Sequence, residues 1–277
     1  MKLVTIATHS DHYFNYLKKS CRRYNSDITI LGWGQKWPGF SFKSKLINDY
    51  LVDIEDDEIV CVIDSFDVIL LRPISELETF FRSYSSITGI NMIVALDIQP
   101  YKIISIINKI RFDTCHDISL NAGTYIGYAK EIKKMIKEIY IDPSLDDQIL
   151  LTKYVKENPH SIHIDTSNLF FLTINNPFGE FIYNKDIIKI ENKTLYYRGI
   201  KPFFAHGNGN TNMNNLITEL GYKMSYNTIY CINKRNQWVQ YKKVLEDYYI
   251  FILFILFIFV IPFVVLFFFY KYLIKKK

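Results

Sequence analysis

Hydrophobic and polar positions in the first part of the chain form blocks that predict strands and helices in turn. The apolar run at residues 3–7 predicts a first strand, the segment from about 12 to 24 an amphipathic helix, and residues 28–31 a second strand. A helix from residue 43 to about 53 and the apolar run 58–63 follow. This βαβαβ order is typical of the opening of a doubly wound α/β sheet.

The same alternation continues along the chain. Ser75 and Glu78 have the spacing of a capping box, which predicts a short helix ending near Arg82. The later segments predict strand 91–96, a turn and strand over 120–129, helix 131–140, a helix capped by Ser144, a strand starting at 163–165 and a strand ending within 203–210.

The segment 58–70 joins a run typical of a buried strand to two carboxylates three residues apart, Asp64 and Asp67. Ligands of open α/β sheets bind at the carboxyl ends of strands. Hard cations such as Mg²⁺ and Mn²⁺ commonly take one or two carboxylates together with phosphate oxygens. The pair therefore indicates a metal site beside an anionic ligand, although a solvated Asp-x-x-Asp turn fits these residues equally well.

Composition excludes several classes of function. The net charge of +5 is modest and the basic residues are scattered, so nucleic-acid binding is not favoured. The four cysteines show no Cys-x-x-Cys pair or zinc spacing. The turn after the first predicted strand lacks Gly-x-Gly-x-x-Gly, so a dinucleotide site of the usual kind is not expected.

Two further groups of polar residues stand at predicted element ends. Asp146 and Asp147 begin a predicted helix, and from the residues alone we prefer the interpretation that they complement the helix dipole. His206 and Asn208 end a predicted strand among glycines, whose backbone can approach a phosphate closely.

The C-terminal part of the chain is almost wholly apolar from about residue 248 to 269. It predicts a transmembrane helix over 248–270, preceded by a juxtamembrane linker over 226–247 and followed by a basic tail over 271–277. We therefore expect a single-pass C-terminal anchor.

Taken together and in order, the motifs resemble the glycosyltransferase domain of the procollagen lysyl hydroxylases and the related collagen glucosyl- and galactosyltransferases. The resemblance covers residues 1–225. It rests on residues 5–8, 31–34, Trp37, Lys43, residues 64–68, Gly123, and residues 125–129, 146–148 and 206–209.

The resemblance implies a GT-A fold, with a mixed, mostly parallel sheet and helices on both faces. It also implies a UDP-sugar donor, UDP-glucose or UDP-galactose, and Mn²⁺ as the cofactor, with Mg²⁺ as the alternative. The implied metal ligands are Asp64, Asp67 and His206. The implied donor-binding residues are Lys43, Ser65, Phe66 (stacked on uracil), Asn208 and Gly209, and the acidic pair near the transferred sugar is Asp146 and Asp147.

The expected function is transfer of glucose or galactose to a protein acceptor, hydroxylysine-linked in a collagen-like protein. A glycan or lipid acceptor is one alternative, and a catalytically silent, membrane-anchored module that binds sugar nucleotides is another. No motif of the hydroxylase domain is present, so lysine hydroxylation is not expected.

An endoplasmic reticulum or other endomembrane location is expected, with the orientation open. The start of the chain does not resemble a signal peptide, which favours a cytosolic domain. A collagen-type acceptor and the terminal lysines favour a luminal domain. Asn192, Lys193 and Thr194 have the Asn-x-Thr pattern, which predicts a glycan at Asn192 in the luminal orientation.

Overall fold

The computed structural model describes most of the chain up to residue 226 and parts of the remainder. The described residues are 1–39, 41–97, 119–139, 147–175, 187–209, 211–226, 228–230, 232, 249, 253 and 256–275. The backbone divides into two compact units, residues 1–229 and 230–277.

The first unit contains eleven described strands. They are β1 (Lys2–Ile6), β2 (Thr29–Leu31), β3 (Ile59–Ile63), β4 (Val68–Leu70), β5 (Met92–Asp97), β6 (Ser119–Tyr128), β7 (Ile162–Asp165), β8 (Phe171–Asn175), β9 (Ile188–Glu191), β10 (Thr194–Tyr197) and β11 (Phe204–Asn208). Its described helices are α1 (Phe14–Arg23), α2 (Ser41–Leu51), α3 (Ile74–Thr88), α4 (Ala129–Ile139), α5 (Asp147–Glu157) and α6 (Asn214–Glu219).

A six-stranded sheet in the order β2-β1-β3-β6-β5-β7 forms the centre of this unit. Only β6 runs against its neighbours β3 and β5, and the other pairings are parallel. The predicted βαβαβ opening corresponds to the parallel strands β2, β1 and β3. The expectation of a mixed, mostly parallel sheet is confirmed.

The side chains of β3 explain why this strand is apolar throughout. Val60 and Val62 join a cluster with residues of α2, α4 and α5, whereas Ile59, Cys61 and Ile63 join a second cluster with residues of α1 and α3. Successive side chains of a strand point to opposite faces, so a strand covered on both faces must be apolar at every position. The apolar run of β3 ends at Ile63, and the chain turns polar at Asp64.

A second sheet, in the order β4-β11-β8, packs beside the main one. Strand β11 is antiparallel to β4 and parallel to β8. Strands β9 and β10 form a separate hairpin, and the two residues of its turn, Asn192 and Lys193, are exposed with φ of 49° and 63°. Asn192 of the Asn-x-Thr pattern is thus at the surface, and its glycosylation stays a prediction.

The capping box predicted at Ser75 is wrong. The helix begins at Ile74 after Pro73, and Ser75 lies inside its first turn, where its carbonyl accepts a hydrogen bond from Thr79. The helix also continues past Arg82 to Thr88 before Gly89 ends it in the left-handed conformation. Beyond Arg82 the helix still packs in the core, since the Tyr84 ring contacts that of Phe170, and Gly89 provides the local cap at which it ends.

Among the described residues, no helix is both long enough and apolar enough to cross a bilayer. The predicted span over 248–270 is therefore unsupported. Its described part consists mainly of a π-helix, Leu256–Val260, which continues directly into α7 (Ile261–Lys275), with Pro262 next to the junction. Residues 248, 250–252 and 254–255, and most of the predicted linker 226–247, lie outside the described residues.

Candidate active site

The two predicted metal-binding carboxylates lie at the carboxyl end of β3. Asp64 follows the last residue of β3 directly, and Asp67 precedes β4. The backbone N–H of Tyr13 donates to the carbonyl of Phe66 (2.9 Å), and that of Gly207 donates to the carbonyl of Asp67 (2.8 Å). These bonds hold the turn against α1 and β11, while both carboxylate side chains stay partly exposed, at 37% and 26%.

His206 approaches the same point from the second sheet. It pairs with Val68 of β4 and with Thr173 of β8, and it is 1% exposed. Its Nε2 lies 3.4 Å from Asp67 Oδ1 and 3.8 Å from Asp64 Oδ2. Ligand atoms of all three residues lie within 4.8 Å of one another, so the structure brings the predicted metal ligands together.

The His206 ring fits a cation ligand. Among the described residues, Nδ1 makes no hydrogen bond, and Nε2 has only the loose ion pair with Asp67 at 3.4 Å, although the imidazole is buried. A buried polar atom without a partner is costly, and each such atom in a native structure calls for a ligand or another explanation. Carboxylate oxygens with one imidazole suit a divalent cation such as Mn²⁺.

Electrostatics at His206 favour positive charge. Burial lowers the pKa of the imidazole, but the neighbouring carboxylates of Asp67 and Asp64 raise the pKa by more, so it lies above its ordinary value. The site thus attracts a cation, whether a proton on the ring or a metal ion among the three groups.

Lys43, on α2, lies between the turn that carries Asp64 and the start of α5. Its Nζ donates to Asp64 Oδ1 (2.9 Å) and to the carbonyl of Ala122 (3.1 Å), and it lies 3.6 Å from Asp147 Oδ2. Burial lowers the pKa of the Lys43 ammonium, but the carboxylates of Asp64 and Asp147 raise the pKa by more than burial lowers it. The net pKa shift is therefore upward. The lysine therefore stays charged and links a metal-site carboxylate to the acidic helix start.

Asp147 is the first residue of α5, and its side chain is 21% exposed. The position allows both interpretations of this residue, since it can complement the helix dipole while its carboxylate lies at the site. Asp146 lies outside the described residues. Tyr125 of β6 lies beside this group, and its burial raises its pKa, opposed by Lys43.

The predicted donor-binding residues surround the two carboxylates. Phe66 is half-buried, and its ring lies 5.3 Å from that of His9 and 6.3 Å from that of Phe14, centroid to centroid. Ser65 is buried.

On the other side of the site, the Asn208 amide donates to Asp97 Oδ1 (3.0 Å). Gly209 follows Asn208 with a φ of +67°, in the left-handed region that favours glycine.

Sequence reasoning missed four residues that the fold places at the site: Tyr13, Asp97, Gly123 as a close contact, and Tyr125. Asp97 had a detectable signal, because a carboxylate at the end of a predicted strand belongs to the same sheet edge as Asp64. Gly123 and Tyr125 lie within the motifs that carry the family resemblance, but no site role was assigned to them. Tyr13 had no signal, since its position depends on partners far away in the chain, such as Asn214 for its hydroxyl (3.0 Å).

Residues 1–228 match the family model described as the PLOD GT domain. The chain belongs to this family. Membership places it among glycosyltransferase domains related to those of the collagen-modifying enzymes.

Three relatives illustrate the relationship. An uncharacterized protein of Acanthamoeba polyphaga mimivirus, R699, is 27% identical over 217 residues, which cover 74% of this chain and 45% of the relative. Procollagen-lysine,2-oxoglutarate 5-dioxygenase 1 of Bos taurus is 26% identical over 228 residues, covering 76% and 30%. The multifunctional procollagen lysine hydroxylase and glycosyltransferase of Caenorhabditis elegans is 25% identical over 229 residues, covering 75% and 30%. The chain thus spans less than half the length of each.

Proposed function

We propose that this PLOD GT family member is a metal-dependent glycosyltransferase with a UDP-sugar donor, UDP-glucose or UDP-galactose. The observation that carries the proposal is the convergence of ligand atoms of Asp64, Asp67 and His206 within 4.8 Å around an imidazole that makes no well-formed hydrogen bond to any described residue. Mn²⁺ is the cation that this ligand set fits, and Mg²⁺ is the alternative. A divalent cation held there supplies positive charge opposite the departing diphosphate.

The residues around the three ligands have complementary tasks in this proposal. Lys43 fixes Asp64 through one carboxylate oxygen, which leaves the other oxygen directed at His206. The Phe66 ring, at the turn between the ligands, stacks on the uracil. Asn208 and the left-handed Gly209 lie beside the diphosphate, where backbone without a Cβ permits close approach.

A carboxylate near the sugar completes the proposed mechanism. Glycosyl transfer passes through an oxocarbenium-like sugar, which a nearby carboxylate stabilises. We assign this task to Asp147, whose carboxylate lies 3.6 Å from the Lys43 ammonium and so at the edge of the metal-binding group. Asp146 remains the second member of the proposed acidic pair.

The proposed acceptor is a protein, hydroxylysine-linked and collagen-like. Its support is the family and the name of the Caenorhabditis elegans relative, which combines lysine hydroxylase and glycosyltransferase. A glycan or lipid acceptor and a silent sugar-nucleotide-binding module are the outcomes against which this proposal is tested.

The test uses the purified full chain with UDP-glucose or UDP-galactose and Mn²⁺, with and without peptides that carry hydroxylysine or galactosylhydroxylysine. We expect UDP release that needs Mn²⁺, stops with EDTA and increases with one of the peptides. UDP release that neither peptide increases would contradict the proposed collagen-type acceptor. Binding of UDP-sugar without any release would favour the silent module.

A further inference from the structure

Strand β6 carries a bulge beside the metal-binding residues. On its β5 side, Val94 pairs with Tyr125 but the next residue, Ala95, pairs with Asn121. Residues 122–124 are therefore extra on β6 relative to β5. Bulges of this kind bend a strand locally and occur frequently next to active sites.

Two polar side chains hold the backbone of the bulge. The Gly123 N–H donates to the Oδ1 of Asn121 (2.8 Å), which is 2% exposed, and the Ala122 carbonyl accepts from Lys43 Nζ (3.1 Å). Buried backbone groups must find partners, and here side chains provide them where the β5 ladder is interrupted. The bulge is thus a specified feature of the strand.

The apex of the bulge touches the metal-binding residues. A Cβ on Gly123 would collide with Asp64 Oδ2 and would lie 2.6 Å from His206 Cε1 and 2.8 Å from Asn121 Oδ1. Gly123 does not adopt the left-handed φ that favours glycine elsewhere in the chain. Glycine is needed at this position because of space, since its missing side chain admits the carboxylate and the imidazole together.

We propose that Gly123 is a positioning residue for the cation: the bulge presents bare backbone to Asp64 and His206, which lets the two side chains approach each other closely enough to share a ligand. This deepens the proposed function and rests on its metal site. Any side chain at position 123 pushes Asp64 Oδ2 away from the imidazole. Its first effect is therefore weaker binding of the cation.

The first measurement is the Mn²⁺ affinity of the full chain by isothermal titration calorimetry. Gly123→Ala is expected to bind Mn²⁺ about 10- to 100-fold more weakly than the wild type, the range typical when a residue that orients metal ligands is lost. Gly127→Ala is the matched control, because a Cβ there is also crowded, 3.0 Å from the Asn91 carbonyl, but lies away from the metal-binding residues. The control should keep wild-type affinity, and equal affinity in Gly123→Ala would overturn the proposal.

A second measurement needs no metal. In EDTA, we compare the fall in Tm that Gly123→Ala causes in the wild type with the fall that it causes in the Asp64→Ala variant. The second variant lacks Asp64 Oδ2, the atom that the new Cβ would approach most closely. We expect a smaller fall in that background, or a folded double variant if Gly123→Ala does not fold alone. An equal fall, or a double variant that also fails to fold, contradicts the proposal.

The two measurements distinguish a failure of the proposed metal dependence from a failure of the proposed role of Gly123. A wild-type chain that binds no Mn²⁺ would refute the proposed metal dependence. The coupling in EDTA would still decide whether Gly123 positions Asp64.

Discussion

At the scale of single residues, the imidazole of His206 is buried beside two carboxylates. Within the part of the chain that the structure describes, neither ring nitrogen makes a well-formed hydrogen bond, and two carboxylates lie within 4 Å of Nε2, at 3.4 and 3.8 Å. The free energy lost by burying it is recovered when a cation binds both the ring and the carboxylates. In the proposed function, the cost of burying this histidine and the binding of a cation are thus two aspects of the same arrangement.

Replacing a metal ligand should abolish cation-dependent turnover while leaving the fold intact. Asp67→Asn removes a charged oxygen ligand, and His206→Ala removes the nitrogen ligand, so UDP release with Mn²⁺ should fall on the order of 100-fold or more in each. His163→Ala, a partly exposed strand histidine outside the cluster, serves as the control and should keep its activity. Normal turnover in Asp67→Asn would refute the metal assignment.

The role of Asp147 can be tested by comparing the effect of its replacement on kcat with the effect on the donor KM and on Tm. Asp147→Asn should lower kcat strongly, because a neutral amide cannot stabilise a positive sugar, while the donor KM and Tm change little. If the residue only complements the start of α5, the same variant should retain most of its activity and lose a few tenths of a kcal/mol in stability. Steady-state kinetics and thermal melting of the one variant distinguish these outcomes.

At the scale of elements, one buried carboxylate determines the path from β7 to β8. Asp165 is 2% exposed and accepts hydrogen bonds from the Ser167 hydroxyl (2.8 Å) and from the backbone N–H groups of Leu169 (3.1 Å), Phe170 (2.7 Å) and Phe171 (2.9 Å). Strand β8 begins at Phe171 and is the parallel neighbour of β11, so this connection supports the strand that carries His206.

Loss of that carboxylate should cost stability first. Asp165→Ala leaves buried N–H groups without acceptors, and we expect the free energy of unfolding in urea to fall by about 3 kcal/mol or more. Asp165→Asn keeps one acceptor oxygen and should lose less. Asp57→Ala removes an exposed carboxylate and is the matched control. Equal stability of Asp165→Ala and Asp57→Ala would show that the turn is held by packing instead.

At the scale of the first unit, residues 1–229, the proposed cation site lies between the two sheets. Asp64 leaves β3 of the main sheet, whereas His206 lies on β11 of the second. A cation bound by both therefore cross-links the sheets in the native state and is released on unfolding. Binding of a ligand to the native state alone stabilises the fold by mass action.

Mn²⁺ should consequently raise the melting temperature of the full chain, and EDTA should reverse the effect. At a free Mn²⁺ concentration of 100 times Kd, the stabilisation is about 2.7 kcal/mol. Asp67→Asn should lose most of the increase in Tm, whereas Asp57→Asn should keep it. An undiminished increase in Asp67→Asn would place the bound cation elsewhere.

Local patterns were sufficient for the elements whose residues interact mainly with the sheet. The β-branched runs predicted β1, β3 and β5, and the amphipathic spacing predicted α1 and α4, because alternation and helical periodicity are properties of neighbouring residues. Strand β8 escaped prediction because its place depends on pairing with the distant strand β11. The end of α3 at Gly89 and the hairpin of β9 and β10 escaped prediction although both have local signals, a glycine cap and a two-residue turn.

The sequence by itself determined that two carboxylates end a buried strand and that a histidine ends another. Their meeting was decided by the antiparallel pairing of β11 with β4, which joins segments far apart in the chain. The same holds for Lys43 beside Asp64 and for the Asn208 amide on Asp97. Gly123 is the clearest case: a glycine in a turn-like motif carries no sign that the turn is a bulge pressed against the metal-binding residues. Periodicity encodes the direction of a side chain within its element, whereas which elements face each other follows from the packing of the whole core.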